Sequence, residues 1–134
     1  MILISHRGNF DGKDEELENS PEYVLEALDY GYDVEVDVRY IDGHYYLGHD
    51  KPEYMGEIVL NDLYKDVLWC HAKDGPTLRQ LMKDGFHCFF NDMDVYTLTS
   101  KGFIWHYDGF ESRYVLDKNG KLIGYCNDNV SVLK

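Results

Sequence analysis

The sequence predicts an α/β fold, and three observations lead there. Short apolar runs alternate with helical or turn segments along the whole chain. Two of those segments carry helix punctuation at both ends. Polar residues also gather where the apolar runs finish: His6-Arg7, Glu35-Asp37, His49-Asp50, His71-Lys73, Asn91-Asp92, His106 and Asp128. Parallel α/β proteins place their chemistry at that end of the strands. With 134 residues and no linker, repeat or low-complexity tract, residues 1–134 are expected to form a single domain with one core.

"ILIS" opens as a strand, with His6 and Arg7 at its tip. In "NSPEYVLEALDYG", Ser20 is the candidate N-cap, Pro21 the first helical residue and Gly31 the C-cap; Val24, Leu25 and Leu28 share a face. "DVEVDVR" follows, with Val34, Val36 and Val38 alternating with charged residues, the pattern of a strand. Glu35 and Asp37 then share the other face, about 7 Å apart. Buried carboxylates repel and lose hydration, so such a pair needs a cation or donors. A half-exposed strand with a solvated acidic face is the alternative.

Asp42-Gly43 is a hairpin signal leading into "HYYLGHD". "NDLYKD" reads as a helical turn before the strand in "VLWCHAK". "GPTLRQLMKDG" is the second helix, closed by Gly85 before "FHCFFND". "FIWHY", "SRYVLD" and "KLIGYCND" complete the strands, the last two joined by the turn "DKNG". Eight short strands and two helices are expected.

A hydrophobic content of 44% with 12 tyrosines and 6 phenylalanines indicates a globular chain rather than a disordered one. The net charge of −12 argues against binding a nucleic acid polymer or an anionic membrane surface. A small anionic substrate would need a local cation. No apolar run reaches membrane-spanning length, so no membrane insertion is expected. "MILISHRGN" is too short and too soon charged for a signal peptide. Cys70, Cys88 and Cys126 are odd in number and lie in apolar contexts, which reads as buried, reduced thiols in a cytoplasmic protein.

"HRG" at the first strand tip, "ENS" before the first helix, "EVDVRYIDGHYYLGHD" and the later "HAK" resemble the glycerophosphodiester phosphodiesterases, of the phospholipase-C-like phosphodiesterase group. The clear likeness covers residues 1–50. The family's fold is a TIM barrel, and 134 residues fall well below the ~200–250 of a usual one. The resemblance therefore implies a reduced or partly open TIM-barrel-like fold with up to eight short strands and few helices. Where the family has Glu-x-Lys, this chain has His71-Ala72-Lys73.

The resemblance implies the site as well. His6 and His49 correspond to the acid/base pair, and imidazoles near their ordinary pKa can take either role. Arg7 and Lys73 would bind substrate phosphate. Glu35 and Asp37 would hold a divalent metal, Mg²⁺, Ca²⁺ or Mn²⁺, with His71 as candidate third ligand or else a packed core histidine. Beside these, Glu18 and Asn19 either order the first loop or simply cap the helix entry, and His106 and Asp128 are lesser site candidates for which a structural role is the better reading. The implied activity is metal-dependent hydrolysis of a small phosphodiester such as a glycerophosphodiester. A nucleotide-type phosphodiesterase and a non-catalytic phosphate-binding or interaction module are the alternatives. The expected partner is the small-molecule substrate, with a homodimer a further expectation.

Overall fold

The computed structural model describes residues 1–109 and 112–134. Its strands are β1 (Ile2–His6), β2 (Asp33–Ile41), β3 (His44–Leu47), β4 (Tyr54–Met55), β5 (Leu68–Ala72), β6 (Cys88–Phe89), β7 (Tyr96–Leu98), β8 (Ile104–Tyr107), β9 (Arg113–Leu116) and β10 (Leu122–Asn127). Two α-helices, α1 (Pro21–Asp29) and α2 (Gly75–Lys83), interrupt them.

Local chemistry accounts for the helix limits. The Ser20 hydroxyl accepts from the Tyr23 N–H, and Pro21 opens α1. The C-cap is Tyr30, one residue before the expected Gly31, which lies just beyond in the left-handed region. Asp74 caps α2 by accepting from Thr77 N–H. Between β2 and β3, Asp42 and Gly43 both have positive φ (50° and 83°), the type I′ geometry that matches strand twist.

β10, β1, β2, β5 and β6 lie parallel in that order. β1 and then β3 follow one edge of β2, and β5 lies along the other. β3, β4, β7, β8 and β9 pair antiparallel. The expected α/β fold, a reduced TIM-barrel-like arrangement with up to eight strands, is therefore overturned. The chain forms a curled, mixed ten-stranded sheet, a half-barrel with only two α-helices among the described residues. The reason is loop length. A parallel return needs a crossover of a dozen or more residues, and only β1–β2 and β5–β6 are bridged by a helix. Segments 99–103, 108–112 and 117–121 are hairpin-length, so β7 to β10 must fold back on one another.

Among the described residues β6 and β7 do not pair as strands. Ser100 closes that seam instead: its N–H donates to the Cys88 carbonyl (2.8 Å), and its Oγ accepts from the Cys88 N–H (2.9 Å).

Two apolar cores lie on opposite faces of the sheet. Outside, Val34, Val36 and Val38 pack with Val24 and Ala27 of α1 and Leu81 of α2. Burying each such valine is worth about 1.5–3 kcal/mol. Inside the curl, Ile4, Trp69, Phe89, Trp105, Val115 and Cys126 form the second core. β2 is thus buried on both faces, and its inner face carries Glu35 and Asp37. No helix among the described residues is long and apolar enough to cross a membrane.

Candidate functional site

The parallel strands aim their carboxyl ends at one mouth of the curl. β8 runs the same way as β10, so Tyr107 ends there too, and Arg113 starts the intervening β9 at the same rim. A cavity of about 410 Å³ opens at this mouth; His6, Arg7, Glu35, His49, His71 and Lys73 are among its lining residues. Six of the seven expected site residues line it, and the seventh, Asp37, lies directly beneath.

β2 supplies the anionic floor. Glu35 is 3% exposed and Asp37 0%. His71, on the neighbouring strand in register with Asp37, brings Nδ1 to 3.3 Å from Asp37 Oδ1 and 3.7 Å from Glu35 Oε2. One ligand atom from each of the three residues lies within 4.8 Å of the others. Glu35 Oε1 and Asp37 Oδ1 are buried with no hydrogen bond. Orphaned carboxylate oxygens at that depth are costly unless a cation answers them, and neighbouring ligands of one small cation sit at about these separations. The donor set therefore fits a divalent metal.

Cations and amides hold Asp37 from the other side. Asn19 donates from Nδ2 to Asp37 Oδ2 (2.9 Å) and accepts from its N–H (3.0 Å). Arg7 Nε is 3.0 Å from Asp37 Oδ2 but off the hydrogen-bonding angle, while Arg7 Nη1 donates to Glu18 (3.2 Å). Lys73 Nζ is 3.9 Å from Asp37 Oδ1. Burial opposes ionisation of Asp37, but His71, Arg7 and Asn19 outweigh it and push its pKa well down. Burial likewise disfavours a charged His71, yet the facing carboxylates of Asp37 and Glu35 prevail and raise the ring to about 9. Glu35 is lowered too: burial and Asp37 oppose, and His71 and His6 win.

His6 ends β1 with Nδ1 2.8 Å from Asp128 Oδ1. Burial raises the Asp128 pKa, but His6 and Asn9 bring it below the ordinary range, so Asp128 accepts as a carboxylate and Nδ1 donates. Nε2 is thereby the free nitrogen of the neutral ring, 3.9 Å from Glu35 Oε1. His49 stands apart on the rim loop. Its side chain is 46% exposed and contacts Asp50 at 2.7 Å, and its carbonyl accepts from Arg39 (2.8 Å).

Asp128, for which a structural role is the better sequence reading, contacts His6 Nδ1 at the mouth of the curl. Arg113 and Tyr107 were missed: they carry no motif, and their place at the mouth depends on antiparallel pairing. Arg113 sits over the Tyr107 ring, 4.7 Å from its centroid. His106 does not line the cavity; it stacks on Tyr114 and lies tilted against Tyr96. In comparisons with family models, curated proteins and solved structures, none matches the chain. The likeness to phosphodiesterases rests on the motif residues alone.

Proposed function

We propose that this chain hydrolyses a small phosphodiester with the help of a divalent metal. The observation that carries the reading is the pair of orphaned buried oxygens on Glu35 and Asp37, set against His71 and beside a His6 already oriented by Asp128. A metal held by Glu35, Asp37 and His71 would offset the charge of the phosphodiester and polarise a phosphoryl oxygen. His6 Nε2 takes the proton of the attacking substrate hydroxyl, because Asp128 occupies Nδ1 and stabilises the imidazolium that forms. Arg7 and Lys73 present positive charge to the phosphate. His49, from the rim, gives a proton to the leaving alkoxide. The attack forms a P–O bond, releases the alcohol and leaves a cyclic phosphate, which water then opens.

A glycerophosphodiester is the substrate class that the motif resemblance favours. The aromatic lining by Phe89, Trp105 and Tyr107 favours a nucleotide-type diester as the second reading. Buried, unpaired cysteines accord with a cytoplasmic setting. Exposed Val95, Tyr96 and Leu98 around β7 accord with a homodimer, which light scattering would test. The deciding experiment measures metal-dependent hydrolysis of a chromogenic phosphodiester, then of a glycerophosphodiester against a dinucleoside monophosphate. Activity abolished by chelator and by His6→Ala is expected. A metal-loaded wild type that binds phosphate and turns over none of these would identify a binding module instead.

A further inference from the structure

We propose that the Glu35–Asp37–His71 site selects a first-row transition ion, such as Mn²⁺, over Mg²⁺ and Ca²⁺, with His71 Nδ1 as a true ligand. This rests on the metal-binding part of the reading above and goes further by naming the class of ion.

The tautomer of His71 is the starting point. Its Nε2 lies 3.0 Å from the Asn91 carbonyl oxygen. A carbonyl can only accept, so Nε2 carries the hydrogen, and in the neutral ring the lone pair resides on Nδ1. That nitrogen is the one facing Asp37 Oδ1 and Glu35 Oε2, at 3.3 and 3.7 Å. A backbone carbonyl fixing the far nitrogen of a ligating histidine is the usual outer support of a metal site.

The support is itself held. Asn91 Nδ2 donates to the Asp94 carbonyl (2.9 Å) and to Thr97 Oγ1 (2.5 Å), anchoring the segment after β6. The His71 ring lies parallel to Phe89, with centroids 5.2 Å apart and planes 5° apart. Ring orientation is set before any ion arrives, and the Asn91 carbonyl holds the hydrogen on Nε2, so Nδ1 is the nitrogen that gives up its proton to an ion. Glu35 Oε1 and Asp37 Oδ1, each on a side chain more than nine-tenths buried, make no hydrogen bond, and that is the independent sign that a cation belongs there.

One nitrogen and two carboxylates then discriminate by hardness. Ca²⁺ takes oxygen ligands and Mg²⁺ gives up its waters reluctantly, whereas imidazole suits transition ions. Asp37 and Glu35 alone would not make that distinction. His71 does.

The test titrates chelator-treated protein with MnCl₂, CoCl₂, MgCl₂ and CaCl₂ by calorimetry. Mn²⁺ and Co²⁺ should bind at least about ten-fold more tightly than Mg²⁺ and Ca²⁺. His71→Ala should remove most of that ratio, and His71→Glu should move the preference toward Mg²⁺ and Ca²⁺. An unchanged ratio in both variants would overturn the proposal while leaving a two-carboxylate site standing. Failure of the folded wild type to bind any of the four ions would sink the metal reading itself. A third measurement needs no variant: in ¹⁵N-labelled wild type, diamagnetic Zn²⁺ should shift His71 Nδ1 and leave Nε2 protonated. No Nδ1 shift at saturating Zn²⁺ would also overturn the assignment.

Discussion

Asp37 and Glu35 are two residues apart on one strand face, yet their partners differ. Asp37 engages Arg7, Asn19, His71 and Lys73 closely, whereas the ion pairs of Glu35 among the described residues are the longer ones to His71 and His6, at 3.7 and 3.9 Å. Asp37→Asn should therefore destabilise chelator-treated protein by about 3 kcal/mol, since it removes the buried anion that three half-buried cations face. Glu35→Gln should cost less than about 1 kcal/mol. Urea unfolding of both variants checks this, and equal losses would contradict it. His6→Ala should lower turnover by about 10²–10⁴ with the fold retained. Asp128→Asn should lower kcat less and displace the pH–rate profile, because the anion that orients the ring is gone.

At the level of elements, the strand–helix–strand opening was readable because its signals are local. Ser20, Pro21, the valine alternation and Asp42-Gly43 each dictate structure within a few residues. The parallel or antiparallel sense of the later strands is not local, since it depends on which loops are too short to cross over. β4 and β7 were missed because "YM" and "YTL" are too brief for alternation to register. The same division holds in the site. The motif residues could be named from sequence, but Asp128 acquires its role only when β10 lies parallel beside β1. The loop after β3 offers a test at this scale. Gly48 has a φ of 157°, and an added Cβ would overlap the Lys51 carbonyl oxygen. Gly48→Ala should shift the loop bearing His49, lowering turnover while heat stability changes little. Loss of the whole thermal transition would show that the loop supports the core.

For the whole molecule, buried His87 and half-buried His71 oppose each other in pH. Burial, with a smaller contribution from Lys101, lowers His87 to about 4. Its neutral form bonds Thr99 at 2.7 Å. Below about pH 6.5 the unfolded chain takes up a proton that folded His87 refuses, so stability present above 6.5 falls between pH 6.5 and 4, by about 3 kcal/mol. His71 has the opposite sign. Its folded pKa of about 9 gives stability that is complete below about 6.5 and is lost as pH rises through 9. Asp128 adds to the acid loss only near and below pH 4. Metal-free protein should be most stable between about pH 6 and 7 in denaturant titrations. His87→Gln should flatten the acid limb alone, and an unchanged acid limb would refute the assignment.

The two Ser100–Cys88 hydrogen bonds have a kinetic meaning. Among the described residues no strand ladder joins β6 to β7, and these two bonds, with the side-chain bonds His87–Thr99 and Asn91–Thr97, close the seam, whereas β2 is laced to neighbours on both edges. Opening the curl there breaks no strand ladder, so the Ser100 and Cys88 amides should exchange with deuterated solvent sooner than those of Val36 or Asp37. Phe89 and Asn91 stand on one side of this line and Trp105 and Tyr107 on the other, all lining the cavity. The width of the cavity is thus tied to the least protected joint of the sheet. A bound ion that gathers His71, and through it Asn91, should slow exchange on the β6 side of the joint first.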